Sequence, residues 1–147
     1  MKLRASRNFF CVAALAFVAS CANDATPEQQ VRDVITRAEQ AAEARDVSDL
    51  AALVSDDYSG ERGFDKRELT NYVRGYLLLH PSVNLMVRIH DVEFPAERLA
   101  RAEVTVGMLG SRGESEELAA DLQTFDLQLL NEDGTWRLIR ADRQRSP

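Results

Sequence analysis

The sequence predicts an α+β domain in which three helices precede a mainly antiparallel four-strand sheet. Three observations predict it. Apolar residues recur at helical spacing as far as Leu79, Pro81 then stops the pattern, and beyond it the apolar period falls to two. Helices grouped first and strands grouped last belong to the α+β class, in which helices cover one face of the sheet.

Each element has its own justification. Thr26-Pro27-Glu28-Gln29 opens the first helix: Thr26 caps, Pro27 suits the first helical position, and Gln29 stands where a capping box wants Glu or Gln. Val31, Val34, Ile35, Ala38, Ala41 and Ala42 then form an apolar stripe, with charge opposite. Ser48 is expected to cap a short second helix, Asp49 to Val54. Asp65 with Glu68 forms a capping box for a third, which runs through Leu69, Tyr72, Val73, Tyr76 and Leu77 to Leu79. Val83, Leu85, Val87 and Ile89 alternate with Asn84, Met86, Arg88 and His90, Ala102, Val104, Val106 and Met108 with Arg101, Glu103, Thr105 and Gly107, and Phe125, Leu127 and Leu129 with Thr124, Asp126 and Gln128. Asn131-Glu132-Asp133-Gly134 is a turn, and Thr135 to Ala141 makes the last strand around Trp136 and Leu138. Gly110 to Ala120 is too long for a tight hairpin and reads as a solvated loop.

The first twenty residues stand apart. Lys2, Arg4 and Arg7 precede an apolar run from Phe9 to Val18, which is too short to span a bilayer and reads as a removed secretory signal. Val18-Ala19-Ser20-Cys21 resembles the lipobox of bacterial lipoproteins, which implies lipidation at Cys21. Residues 1–20 are then the signal, 21–26 the lipidated cysteine and tether, 27–143 the domain and 144–147 a tail. Ala22 after the cysteine implies the outer membrane, facing the periplasm, in a host with two membranes.

Removing residues 1–20 leaves one domain's worth of chain and moves the formal charge from −6 to about −9, because Lys2, Arg4 and Arg7 go with them. So acidic a domain argues against nucleic acid, whose footprint is a basic patch, and against docking on anionic lipid through charge. The lipid must then supply the membrane affinity. Cys11 leaves with the signal and Cys21 carries lipid, so no disulfide or cysteine metal site is expected. Two histidines without ligand spacing argue against a metal, and no motif calls for a cofactor.

Val31-Arg32-Asp33-Val34-Ile35, the stretch Ala44 to Tyr58, and Phe125 to Leu129 with Gly134-Thr135-Trp136-Arg137-Leu138-Ile139 resemble the nuclear transport factor 2-like superfamily, also called SnoaL-like or cystatin-like. The resemblance covers residues 27 to 143. It implies a sheet wrapped over helices with a pocket at one end, and frequent dimerisation through the outer sheet face. It leaves function open, because the fold hosts both enzymes and non-catalytic modules.

Enzymes of this fold place an acid or imidazole in an apolar pocket, where burial tunes it for proton transfer. The candidates are Asp57, Asp126 and His90. Against them, Asp57 also reads as a helix end, Asp126 as a cross-strand partner for Arg88 or Arg137, and His90 as a sheet-surface residue. Tyr58, Tyr72, Tyr76, Met86 and Met108 are the expected pocket residues. The leading expectation is a lipid-anchored, non-catalytic domain that binds a small apolar ligand or an envelope protein. An isomerase, dehydratase or hydrolase with a pocket Asp as general base is the alternative, and a homodimeric envelope subunit is a third.

Overall fold

The computed structural model describes residues 25–109 and 121–144. Cys21, the signal stretch and the expected loop lie outside the described residues, as does the side chain of Met108. Helices α1 (Pro27–Glu43), α2 (Val47–Ala52) and α3 (Lys66–Leu79) precede strands β1 (Asn84–Ala96), β2 (Leu99–Leu109), β3 (Asp121–Glu132) and β4 (Thr135–Arg143). The four strands form one antiparallel meander in chain order.

The caps explain where the helices begin. Thr26 Oγ1 accepts from the Gln29 N–H at 3.2 Å, and the reciprocal capping box of Asp65 and Glu68 opens α3. Helix α2 departs from expectation: Asp46, not Ser48, caps it, its carboxylate accepting from the Asp49 N–H at 2.9 Å. A carboxylate at this position satisfies a free N–H and complements the helix dipole, so α2 starts and ends about two residues early. Between α1 and α2 the chain makes a Schellman turn. Asp46 N–H returns to Ala41 O and Arg45 N–H to Ala42 O, with Arg45 in the left-handed region at φ 61°.

Strands β1 and β2 run further than their apolar alternation indicates, joined by a tight turn at Glu97-Arg98. Charged residues such as Asp91 and Glu93 hide this extension in the sequence, because on these strands only one face is apolar. Pro95 is tolerated because β1 is an edge strand. Each edge of the sheet is covered in part. Glu43 Oε1 accepts from the Leu85 N–H at 3.0 Å and Glu39 Oε1 from the Val87 N–H at 3.3 Å, so α1 caps outward-facing donors of β1. Along β4, Leu138 N–H donates to Leu53 O and Ser55 N–H to Leu138 O, both at 2.9 Å, forming a short parallel bridge.

The core lies between α1 and the inner face of the sheet. Val31 and Ile35 pack against Ala100, Ala102, Val104, Leu129 and Trp136. The Trp136 Nε1–H donates to Gln30 Oε1 at 3.1 Å, giving the buried indole the partner it needs.

Candidate functional site

The inner face of the sheet, α1, α2 and α3 enclose a cavity of about 260 Å³. Val34, Ile35 and Ala38 come from α1, Leu50 and Ala51 from α2, and Leu69 and Val73 from α3. Leu85, Val87, Val104, Val106, Phe125, Leu127 and Leu138 form the sheet wall. These are the inward positions of each strand, so period-two patterning on the sheet and helical spacing opposite it make the wall apolar.

Two polar side chains also line it, Glu39 and Thr70, and both already hold partners. Glu39 accepts from Val87 as described, and Thr70 Oγ1 donates to Lys66 O at 2.7 Å. Sequence reasoning missed both. The available signal was position: Glu39 lies four residues after Ile35 and three before Ala42, at the border of the apolar stripe.

The residues singled out from sequence are scattered instead of convergent. Asp57 is exposed beyond a turn in which its backbone N–H donates to Ser55 Oγ at 3.1 Å. Ser55, fully buried, donates onward to Glu132, whose other carboxylate oxygen lies 2.8 Å from Arg137 Nη1. The Ser55 hydroxyl first, then Arg137, hold the Glu132 carboxyl below its ordinary value. This network ties the segment after α2 to the β3–β4 hairpin and does not reach the cavity lining.

Asp126 lies on the outer sheet face. Cross-strand register sets Asp91 opposite Glu103, Glu103 opposite Asp126, and Asp126 opposite Asp142, a row of four carboxylates. Neither Arg88 nor Arg137 pairs with Asp126. Gln144 Nε2 bridges Glu103 and Asp126 at 3.1 and 3.0 Å, and Arg140 pairs with Asp142. Among the described residues, no group of His, Cys, Asp or Glu is arranged to hold a metal ion. His90 is exposed on the same outer face, with Nε2 2.8 Å from Thr105 Oγ1.

Of the expected pocket residues, Tyr58 is buried, but against Gly60 and not along the cavity: a Cβ on Gly60 would lie 2.4 Å from the tyrosine hydroxyl. Burial, with the Asp142 carboxylate second, pushes its phenol above the ordinary value. Tyr72 is 62% exposed on the solvent side of α3, and Tyr76 stacks on His80 with centroids 4.0 Å apart. Met86, 56% exposed, faces outward at one end of the sheet, in the cross-strand row of Gly107 and Leu122. None of Asp57, Asp126, His90, Tyr58, Tyr72, Tyr76 and Met86 lines the cavity.

No protein-family model and no curated protein sequence matches the chain. Solved structures do. A protein from Novosphingobium aromaticivorans provisionally named a scytalone dehydratase superimposes with a TM-score of 0.71 at 13% identity, over 82% of this chain and 84% of that one. An uncharacterised protein with a cystatin-like fold from Caulobacter vibrioides gives 0.68 at 14% identity, over 82% and 89%. A nuclear transport factor 2-like protein of unknown function from Shewanella oneidensis gives 0.65 at 12% identity, over 81% and 99%. Identity this low carries the architecture and no activity. The chain has the cystatin-like, nuclear transport factor 2-like α+β fold, with an apolar cavity between its helices and its sheet.

Proposed function

We propose that this protein is a lipid-anchored, periplasm-facing binding domain that takes a small apolar ligand in its cavity without transforming it. The observation that carries this reading is the cavity wall. It is hydrocarbon almost throughout, and Asp57, Asp126 and His90 all lie elsewhere. Proton-transfer chemistry needs an acid or base within hydrogen-bond reach of the substrate. The one titratable side chain on the wall, Glu39, already accepts a backbone N–H from β1. A pocket so lined recognises shape and apolar area, at about 25 cal/mol for each Å² removed from water.

The anchor rests on the lipobox-like Val18-Ala19-Ser20-Cys21 and the acidic charge. Among the described residues no helix is long and apolar enough to cross a membrane.

Binding is tested with the neutral fluorophore N-phenyl-1-naphthylamine. Val73→Phe, which pushes a ring into the cavity, should weaken binding at least about tenfold, a change of roughly 1.4 kcal/mol. Tyr72→Ala, on the outside of the same helix, should leave it unchanged. Equal binding by wild type and Val73→Phe would overturn the cavity as the site. For the anchor, Cys21→Ala should abolish metabolic labelling by a radioactive fatty acid and shift the protein to the soluble fraction. Absence of label on the wild-type protein would overturn that part.

A further inference from the structure

Thr70 lines two depressions at once. On its inner side lies the apolar cavity, and on its outer side a polar groove along α3 formed with Lys66, Arg67, Asn71 and Arg74 and bordered by Asp56 and Asp65. The two acids are already committed. Asp56 pairs with Lys66 at 2.8 Å, and Asp65 is the N-cap of α3. Arg74 donates to the neutral Asn71 at 3.1 Å. Arg67 and Arg74, two helical turns apart on one strip of α3, therefore keep their charge uncompensated: neither forms an ion pair with a described residue. An apolar chamber thus adjoins a cationic strip, with a hydroxyl at the junction.

We propose that cavity and groove form one site for a single-chain amphiphile with an anionic head. The alkyl chain fills the cavity, and a carboxylate or phosphate is held by Arg67 and Arg74 beside Thr70. This rests on the reading of the cavity as a ligand site and adds the class of ligand. The direction of insertion follows from charge. Glu39, the other polar wall residue, repels an anionic head, so the head lies at the α3 side. Size sets the chain: 260 Å³ holds on the order of nine water-sized groups at about 30 Å³ each, close to an alkyl chain of about ten carbons. The excess acidity of the whole protein opposes non-specific uptake of anions, so a preference for them reports a local site.

Calorimetric titration of the purified chain with decanoate, decyl phosphate, decanol and decylamine tests this. Decanoate and decyl phosphate are expected to bind about tenfold more tightly than decanol, the sum of two partly exposed ion pairs. Arg67→Ala with Arg74→Ala should erase that preference, while Lys at both positions should keep most of it. Circular dichroism confirms that both double variants are folded. Equal binding of decanoate and decanol, a preference that survives the double alanine variant, or tightest binding of decylamine each overturns the amphiphile site, and the cavity reading stands. If none of the four ligands binds, the amphiphile site is overturned, and the N-phenyl-1-naphthylamine titration decides the cavity reading separately.

Discussion

Replacing Trp136 with Ala is expected to cost about 3–5 kcal/mol of stability, the range for truncating a buried aromatic residue. The indole is 3% exposed and packs into the cluster of Val31, Ile35, Ala102 and Leu129. It meets Phe94 edge-on, with centroids 5.8 Å apart at 67°, and its Nε1–H is taken by Gln30. Truncation therefore removes ring contacts between β4, β1 and α1 together, and leaves the Gln30 carbonyl without its donor. Since domains of this size are stable by only about 5–15 kcal/mol, the loss approaches the whole margin. Thermal denaturation should shift downward by roughly 10–20 °C. Trp136 is the sole tryptophan, so the variant has to be followed by far-ultraviolet circular dichroism. Trp136→Phe keeps most of the packing and loses the hydrogen bond, and about 1–2 kcal/mol is expected. A loss under 1 kcal/mol for the alanine variant would show that the cluster around α1 is not the cooperative core.

Arg45→Ala should be the next most damaging change, at about 2 kcal/mol. The residue does two jobs that normally fall to different side chains. Its backbone takes the left-handed conformation that closes α1, a position where glycine is usual. Its guanidinium reaches across to the end of α3, donating from Nη2 to Leu77 O at 2.5 Å and from Nη1 to His80 O and Pro81 O at 2.5 and 3.0 Å. These carbonyls lack partners within the helix, and a cation at a helix C-terminus also complements its dipole. Alanine loses the bonds and keeps the backbone strain. Arg45→Gly loses the bonds and relieves the strain, so it should be about 1 kcal/mol less damaging. Amide hydrogen exchange should accelerate in the last turn of α3 in both variants, while the first turns of α1 stay protected. If alanine and glycine behave alike, the left-handed backbone contributes nothing. If α3 exchange is unmoved, Arg45 is not its cap.

Helix starts were readable because they are local chemistry. Thr26 with Pro27, and Asp65 with Glu68, carry their capping partners within three residues, so no tertiary knowledge is needed. Helix α2 is the instructive exception, since Asp46 and Ser48 are both competent caps and sequence alone could not rank them. The preceding Schellman turn decides, by delivering Asp46 directly out of α1. Strand alternation was equally readable, but its parity was not. His90 is an extra residue opposite β2, so Asp91 falls on the outer face although Ile89, two positions earlier, faces the core. Ile139 plays the same part on β4, turning Arg140 outward after Leu138 has faced inward. Counting by twos fails wherever a bulge intervenes, because a slip of one residue exchanges the two faces.

The candidate site was less legible than the fold for the same reason. Whether Asp126 is a buried acid or a surface charge depends on which face of β3 it occupies and on what β2 and β4 set beside it. The registers place Glu103 and Asp142 there, from strands more than a dozen residues away along the chain. Tyr72 and Tyr76 share a helical stripe with Leu69 and Val73, yet α3 is rotated so that Leu69, Thr70 and Val73 meet the cavity. A four-residue period identifies neighbours on a helix surface, but which neighbours are covered depends on the crossing helix and sheet.

What the sequence by itself determined is therefore the class of fold, the order of its elements and its acidic character. Each rests on periodicity, capping or composition, which act over a few residues or over the whole chain. Only the tertiary structure decided that the expected acids face water, that Glu39 and Thr70 border an apolar chamber, and that Arg67 and Arg74 stand beside it. Those outcomes depend on bulges, strand register and helix rotation, through which residues far apart in the chain determine one another's surroundings.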